Sequence, residues 1–123
     1  MTEANQQGAK EVAAGRDPKA KDARAGHPAA FHDGPGHVIR WANPPFQALF
    51  GEACQGLPAR EAMAGLERAG FELMDRVLRE GRPLARRVAS PDGERRLVVV
   101  PRRDIETGEV YGVASHLRAP IDR

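Results

Sequence analysis

The sequence holds 123 residues, room for one domain and not two. Hydrophobic residues make up 41% and charged residues 29%, the balance of a soluble globular chain, and no apolar stretch approaches the ~20 residues of a membrane span. Net charge is +2, from 19 basic and 17 acidic residues, too even to imply a nucleic-acid or membrane footprint by itself. A lone cysteine, Cys54, excludes an intrachain disulfide and fits a reducing cytoplasm. The N-terminus lacks the apolar core of a signal peptide.

Residues 1–27 contain Val12 as their only branched aliphatic and all three lysines of the chain, Lys10, Lys19 and Lys21. Such a segment buries too little surface to offset its ordering entropy, so residues 1–27 are expected to form a flexible or partly helical tail, with a short helix near 3–14 if it docks on a partner. The domain proper is expected over 28–119, with 120–123 a C-terminal tail.

From Pro28 the character changes. Ala29-Ala30-Phe31-His32 is a short apolar run that ends in Asp33-Gly34-Pro35-Gly36, which is turn chemistry. His37 to Ala42 reads as a strand, so the two runs form a hairpin. Asn43-Pro44-Pro45-Phe46 opens a helix: the Asn43 side chain accepts from a free first-turn amide, and proline suits the first helical position. Phe46, Leu49 and Phe50 share one helical face, and Gly51 ends it. Ala59, Met63 and Leu66 recur at helical spacing after Pro58, with Gly70 closing that run. Phe71 to Glu80 is the clearest helix, with Phe71, Met74, Val77 and Leu78 as its stripe, Glu72–Arg76 and Asp75–Arg79 as exposed pairs, and Gly81 as its stop. Three strands follow, Leu84–Ala89, Arg95–Pro101 and Val110–Leu117, separated by turns at Ser90-Pro91-Asp92-Gly93 and Asp104 to Gly108. Strands and helices are segregated, which predicts an α+β fold with an antiparallel sheet.

The order of these elements, and the residues at their joints, resemble a PAS domain over about Pro28 to Ala119. The run from Gly36 through Trp41-Ala42-Asn43-Pro44-Pro45-Phe46 is similar to the family's opening of a glycine, a strand and Asn-Pro-x-Phe. Leu49-Phe50-Gly51 with Gly56 resembles its next step, and Val77-Leu78-Arg79-Glu80-Gly81 the end of its long helix. Gly93, Gly108 and Gly112 stand at turns and strands that resemble its last three strands. The resemblance implies five antiparallel strands with short helices packed on one face, and a non-catalytic sensory or signalling module that binds a small ligand, a protein partner, or both. It also implies dimerisation through a helix that precedes the first strand, the place residues 3–22 occupy. The chain ends soon after the last strand, so a signal is expected to pass by association, as a homodimer or with a separate signalling protein.

The cofactor stays unknown at this point. Flavin is not supported, because Cys54 in Glu52-Ala53-Cys54-Gln55 lacks the reactive-cysteine motif of the family's photosensors; haem is not supported, because residues 71–80 hold no histidine. The candidate ligand pocket comprises Trp41, Phe46, Phe50, Met63, Phe71, Met74, Val77, Val98, Val100 and Val113, with Arg96 as an inward anchor for a carboxylate. The bland alternative is that these apolar residues only fill a small core.

Other constellations are weaker. Gly51 to Gly56 has phosphate-loop glycine spacing, but Leu57-Pro58 replaces the lysine and hydroxyl, so a helix stop and turn is preferred. His32, Asp33 and His37 flank a tight turn without a strong third ligand, so no metal site is assigned and a solvated turn is preferred. Nothing brings Cys54 to His116 as nucleophile and base. Arg86-Arg87, Arg95-Arg96 and Arg102-Arg103 place one arginine of each pair on each side of the sheet. Solvated edges are preferred for them, and the even charge balance speaks against nucleic acid. With only Ser90, Ser115, Thr2 and Thr107 as hydroxyl residues of those types, no convergent acid–base set emerges, so an enzyme is not expected; a small cone-shaped α+β enzyme, or an Arg-rich sheet binding nucleic acid, are the alternatives.

Overall fold

The structure, a computed structural model, describes residues 26–120. The helix anticipated near 3–14 and the last three residues lie outside the described residues.

Strand β1 (Ala29–Asp33) and strand β2 (Val38–Ala42) form the anticipated hairpin. The turn between them includes Gly34 at φ 68° and His37 at φ 52°. His37 is therefore not the first strand residue but a left-handed turn residue, a conformation that costs energy for a side chain with a Cβ. Helix α1 (Pro44–Phe50) starts as expected: Asn43 Oδ1 accepts from Phe46 N at 3.0 Å, and Pro44 occupies the first turn. The fully buried Asn43 also accepts from Ala29 N at 2.9 Å and donates to His27 O at 2.9 Å, so one side chain caps the helix and fixes the start of β1.

A 3-10 turn (Glu52–Cys54), helix α2 (Ala59–Ala62) and helix α3 (Arg68–Glu80) follow. The run from Ala59 does not continue to Gly70. It turns at Met63 (φ −98°, ψ 55°), and Gly65 follows in the left-handed region at φ 91°. Gly70 lies inside α3 instead, where a Cβ would sit 2.8 Å from Leu66 Cδ2 and 3.3 Å from Leu97 Cδ2. Glycine serves there to let the helix approach the sheet. Gly81, at φ 73°, stops α3 as anticipated. The expected pairs Glu72–Arg76 and Asp75–Arg79 give way to Arg68–Glu72 at 3.4 Å and Arg76–Glu80 at 3.3 Å, while Asp75 turns to His37 and Arg60. Exposed pairs of this kind contribute ~0.5 kcal/mol at most, too little to hold Asp75 on its own helix.

Strands β3 (Leu84–Ser90), β4 (Gly93–Arg103) and β5 (Val110–Arg118) complete one antiparallel sheet in the order β2-β1-β5-β4-β3. The β1–β5 pair joins the two ends of the described chain and closes the domain. That pair comes so close at Gly112 that a Cβ there would overlap the His32 carbonyl oxygen. All helices cover one face. Between them and the sheet, Ile39, Phe46, Met63, Met74, Leu97 and Val113 are completely buried. Each such side chain contributes ~1.5–3 kcal/mol of transfer free energy, which makes this layer the main source of stability. Among the described residues no helix is long and apolar enough to cross a membrane.

Candidate functional site

Two places stand out from the packed layer: a histidine network inside it and the open face of the sheet behind it. The network begins with His32, fully buried on β1. Its Nδ1 lies 3.1 Å from the His37 carbonyl, which can only accept, so Nδ1 carries the proton. Its Nε2 then accepts from the Ser115 hydroxyl at 2.8 Å. Burial, above all, lowers the His32 pKa to about 3, with the neighbouring His37 and Arg102 adding to the effect against the bond to His37. His32 is thus a neutral crosslink between β1, the turn and β5. His37, also fully buried, donates from Nε2 to Asp75 Oδ1 at 2.7 Å, and the other Asp75 oxygen accepts from Arg60 at 3.3 Å. Burial raises the Asp75 carboxyl pKa, but the bonds from His37 and Arg60 outweigh it and the net shift is downward. The His37 Nδ1 is buried without a hydrogen-bond partner among the described residues.

The opposite face of the sheet carries no helix among the described residues. Register orders its side chains in rows across the strands. The first row pairs Asp33 with Gly112 and Gly112 with Arg102. Arg102 bonds Asp33 Oδ1 and the His32 carbonyl, both at 3.1 Å, and its guanidinium lies 4.7 Å from the centre of the Phe31 ring and 4.9 Å from that of Tyr111. The second row is Trp41, Phe31, Ala114 and Val100. The Trp41 and Phe31 rings touch, 4.9 Å between centroids. The third row holds His116, Val98 and Ala85. The fourth is Arg118, Arg96 and Arg87. Trp41, Phe31, Val98 and Val100 are only half-buried, although this is the face turned away from the core.

The expected pocket residues divide between these two faces. Phe46, Met63, Phe71, Met74, Val77 and Val113 come together in the core, and Phe50 packs on its margin. Trp41, Arg96, Val98 and Val100 lie behind the sheet. Arg96 is exposed next to the buried Leu97, so it points outward and cannot be an inward anchor; the period-two alternation places it there once Leu97 takes the core. The solvated turn expected at His32 and His37 is also corrected: both imidazoles are fully buried, 6.5 Å apart and edge to face. His32 follows the alternation of β1, while an extra β2 residue, Arg40, opposite the Phe31–His32 step and the left-handed backbone at His37 bring the second imidazole to the same side, which strict alternation does not anticipate. Their partners Asp75 and Ser115 lie 38 and 83 residues away in sequence, so no local pattern marks them. Cys54 belongs to the core, where burial pushes its thiol pKa up, while His116 stands behind the sheet 3.1 Å from His27, so the two are not neighbours. Gly51 and Gly56, at φ 106° and 89°, serve as the expected helix stop and turn.

No protein-family model and no curated protein matches the chain. Solved structures do. VqmA bound to DPO superposes with a TM-score of 0.65 at 20% identity over 85% of this chain and 56% of that one. The PAS domain of a Colwellia psychrerythraea protein gives 0.62 at 18% identity over 85% and 96%, and the PAS domain of histidine kinase ThkA gives 0.63 at 15% identity over 75% and 98%. The chain spans about half the length of the VqmA chains and nearly all of the two isolated domains. The fold is therefore PAS-like: five antiparallel strands with short helices on one face.

Proposed function

We propose that the protein is a non-catalytic sensory or signalling module that acts by associating with another protein through the open face of its sheet. The observation that carries this reading is the row Trp41–Phe31–Ala114–Val100, continued by Val98, on a face that no described element covers. Half-buried aromatic and branched side chains in a contiguous patch are what an interface core requires, and aromatic residues dominate binding energy at such centres. The described layer on the other side favours a partner over a resident ligand. Phe46, Met63, Met74 and Val77 are fully buried against one another and the sheet, as in a core filled by its own side chains. Neighbours of the same fold include VqmA bound to DPO, a VqmA dimer and the PAS domain of a histidine kinase; they support the sensory class while leaving signal and partner open.

The test is photocrosslinking from position 41 in the host, paired with native mass spectrometry of the purified protein. A crosslinked protein species that disappears in Val98→Glu, with the circular dichroism spectrum unchanged, is the expected result. A protein that carries a co-purifying small molecule and crosslinks to nothing from position 41 would replace this reading with ligand sensing.

A further inference from the structure

We infer that the partner engaged by this face is acidic: a protein segment that sets an apolar anchor on the Trp41–Val98 patch and carboxylates on the Arg87–Arg96–Arg118 row. This rests on the association reading above and adds the partner's chemistry to it. In the register, Arg87 stands opposite Arg96, and Arg96 opposite Arg118, on three neighbouring strands. Their backbones are therefore ~5 Å apart from strand to strand. Like charges directly opposite on a sheet repel, so the row costs stability in the free protein and is relieved by an anion laid across it. Glu94 approaches Arg87 only to 3.7 Å. Among the described residues neither Arg96 nor Arg118 has a carboxylate within ion-pair distance, and Asp92 is engaged by Arg95 at 2.7 Å. A shallow cleft of about 190 Å³ lined by Ala85, Arg86, Arg87 and Arg96 opens beside the row and offers a seat for a side-chain carboxylate.

Charge selects among the occupants. A second copy docked face to face through this sheet brings to the row either its own arginines or the Asp33 end of the face, where the carboxylate is already shared by Arg40 and Arg102. Residues 1–25 carry five basic and four acidic side chains, with no acidic surplus to offer. Nucleic acid fits less well: its phosphates would use three guanidinia but leave the adjoining Phe31–Trp41–Val98 patch unmatched, and a row of three supports only a small salt dependence. The distances define the partner. From the Trp41–Phe31 row to the arginine row is four residues along the strands, ~13 Å. The partner's acidic cluster therefore lies about nine residues from its apolar anchor on a helix, or about four in an extended segment.

Trp41 is the sole tryptophan and lies on this face, so its fluorescence reports docking directly. The full chain is titrated with an amphipathic helical peptide bearing leucine and phenylalanine anchors and a glutamate cluster about nine residues away, with a glutamine twin, a lysine twin and a duplex DNA oligonucleotide. The glutamate peptide is expected to bind about tenfold or more tightly than either twin, and to lose that advantage in Arg96→Gln/Arg118→Gln and reverse it in Arg96→Glu/Arg118→Glu. Equal binding of the glutamate and glutamine peptides, abolished by Val98→Glu but indifferent to the arginine variants, would overturn the acidic partner while leaving the association face intact. Binding indifferent to Val98→Glu as well would sink the face itself. Tighter binding of the DNA, or a native homodimer that excludes the acidic peptide, would overturn the proposal in favour of nucleic acid or of a second copy.

Discussion

His32 shows how much one side chain can be bound by its surroundings. Its Nδ1–H is committed to a backbone carbonyl and its Nε2 to a serine hydroxyl, so the neutral ring satisfies both partners and an added proton would face the Ser115 oxygen in a buried site. Burial therefore takes its pKa down to about 3, and the sign of the linkage follows. The unfolded chain binds a proton near pH 6.5 that the folded chain refuses, so the contribution of His32 is complete above pH 6.5 and is lost as pH falls from there towards 3. Denaturant midpoints measured from pH 7 to pH 5 should report a fall of about 2 kcal/mol, to which His27, likewise lowered by burial and then by Arg118 and Arg95, adds in the same direction. Asp75, also lowered, acts only below its unfolded value of 3.8 and stays out of this window. His32→Gln should be less stable at pH 7 but flatter across the range; an unchanged slope would remove His32 as the cause. None of this is written near His32. Asn43 is the contrasting case: its capping role follows from the prolines beside it, and only its second task, holding Ala29 and His27, depends on the folded chain.

The elements themselves divide in a similar way. Helix α1, the end of α3 at Gly81 and the β3–β4 turn follow from caps, glycines and alternation read directly off the chain. The start of α3 does not, because Gly70 resembles a local stop until Leu66 and Leu97 are seen against it. The pairing of Asp75 was likewise open to sequence reading only as a choice among helix neighbours, and the hairpin turn outbids them with a fully buried imidazole. Gly112 is another such position. It has an ordinary strand backbone, so no φ value demands glycine, yet β1 passes too close for any Cβ. Gly112→Ala should push β1 from β5 and cost about 2–4 kcal/mol, in the range of overpacked or strained core sites. Ala114→Gly, two residues along the same strand and behind the sheet, should cost about 1 kcal/mol or less. Thermal unfolding of the two variants side by side measures the difference, and equal losses would mean that β1 can retreat at no expense.

At the scale of the molecule, the sheet order β2-β1-β5-β4-β3 puts β5 at the centre, paired on both sides, with β2 and β3 at the edges. Amide exchange should therefore be slowest through Val113 to Leu117 and faster at the outward-facing amides of β3, where Ala85, Arg86 and Arg87 are exposed. Protection of β3 as strong as that of β5 would mean that this edge is covered by a further pairing. The amino-acid sequence alone determined the class of fold, the five strands and the apolar residues available for burial. These depend on periodicity, capping and turn chemistry, which act over a few residues. Only the tertiary structure decided which of those apolar residues lie in the core and which lie behind it, because alternation in a strand assigns two faces without saying which is covered. One extra residue in β2 and one left-handed residue settled the face of His37, and the register across three strands turned separate arginine pairs into one row. A row of that kind comes into being only when residues far apart in sequence become neighbours in space.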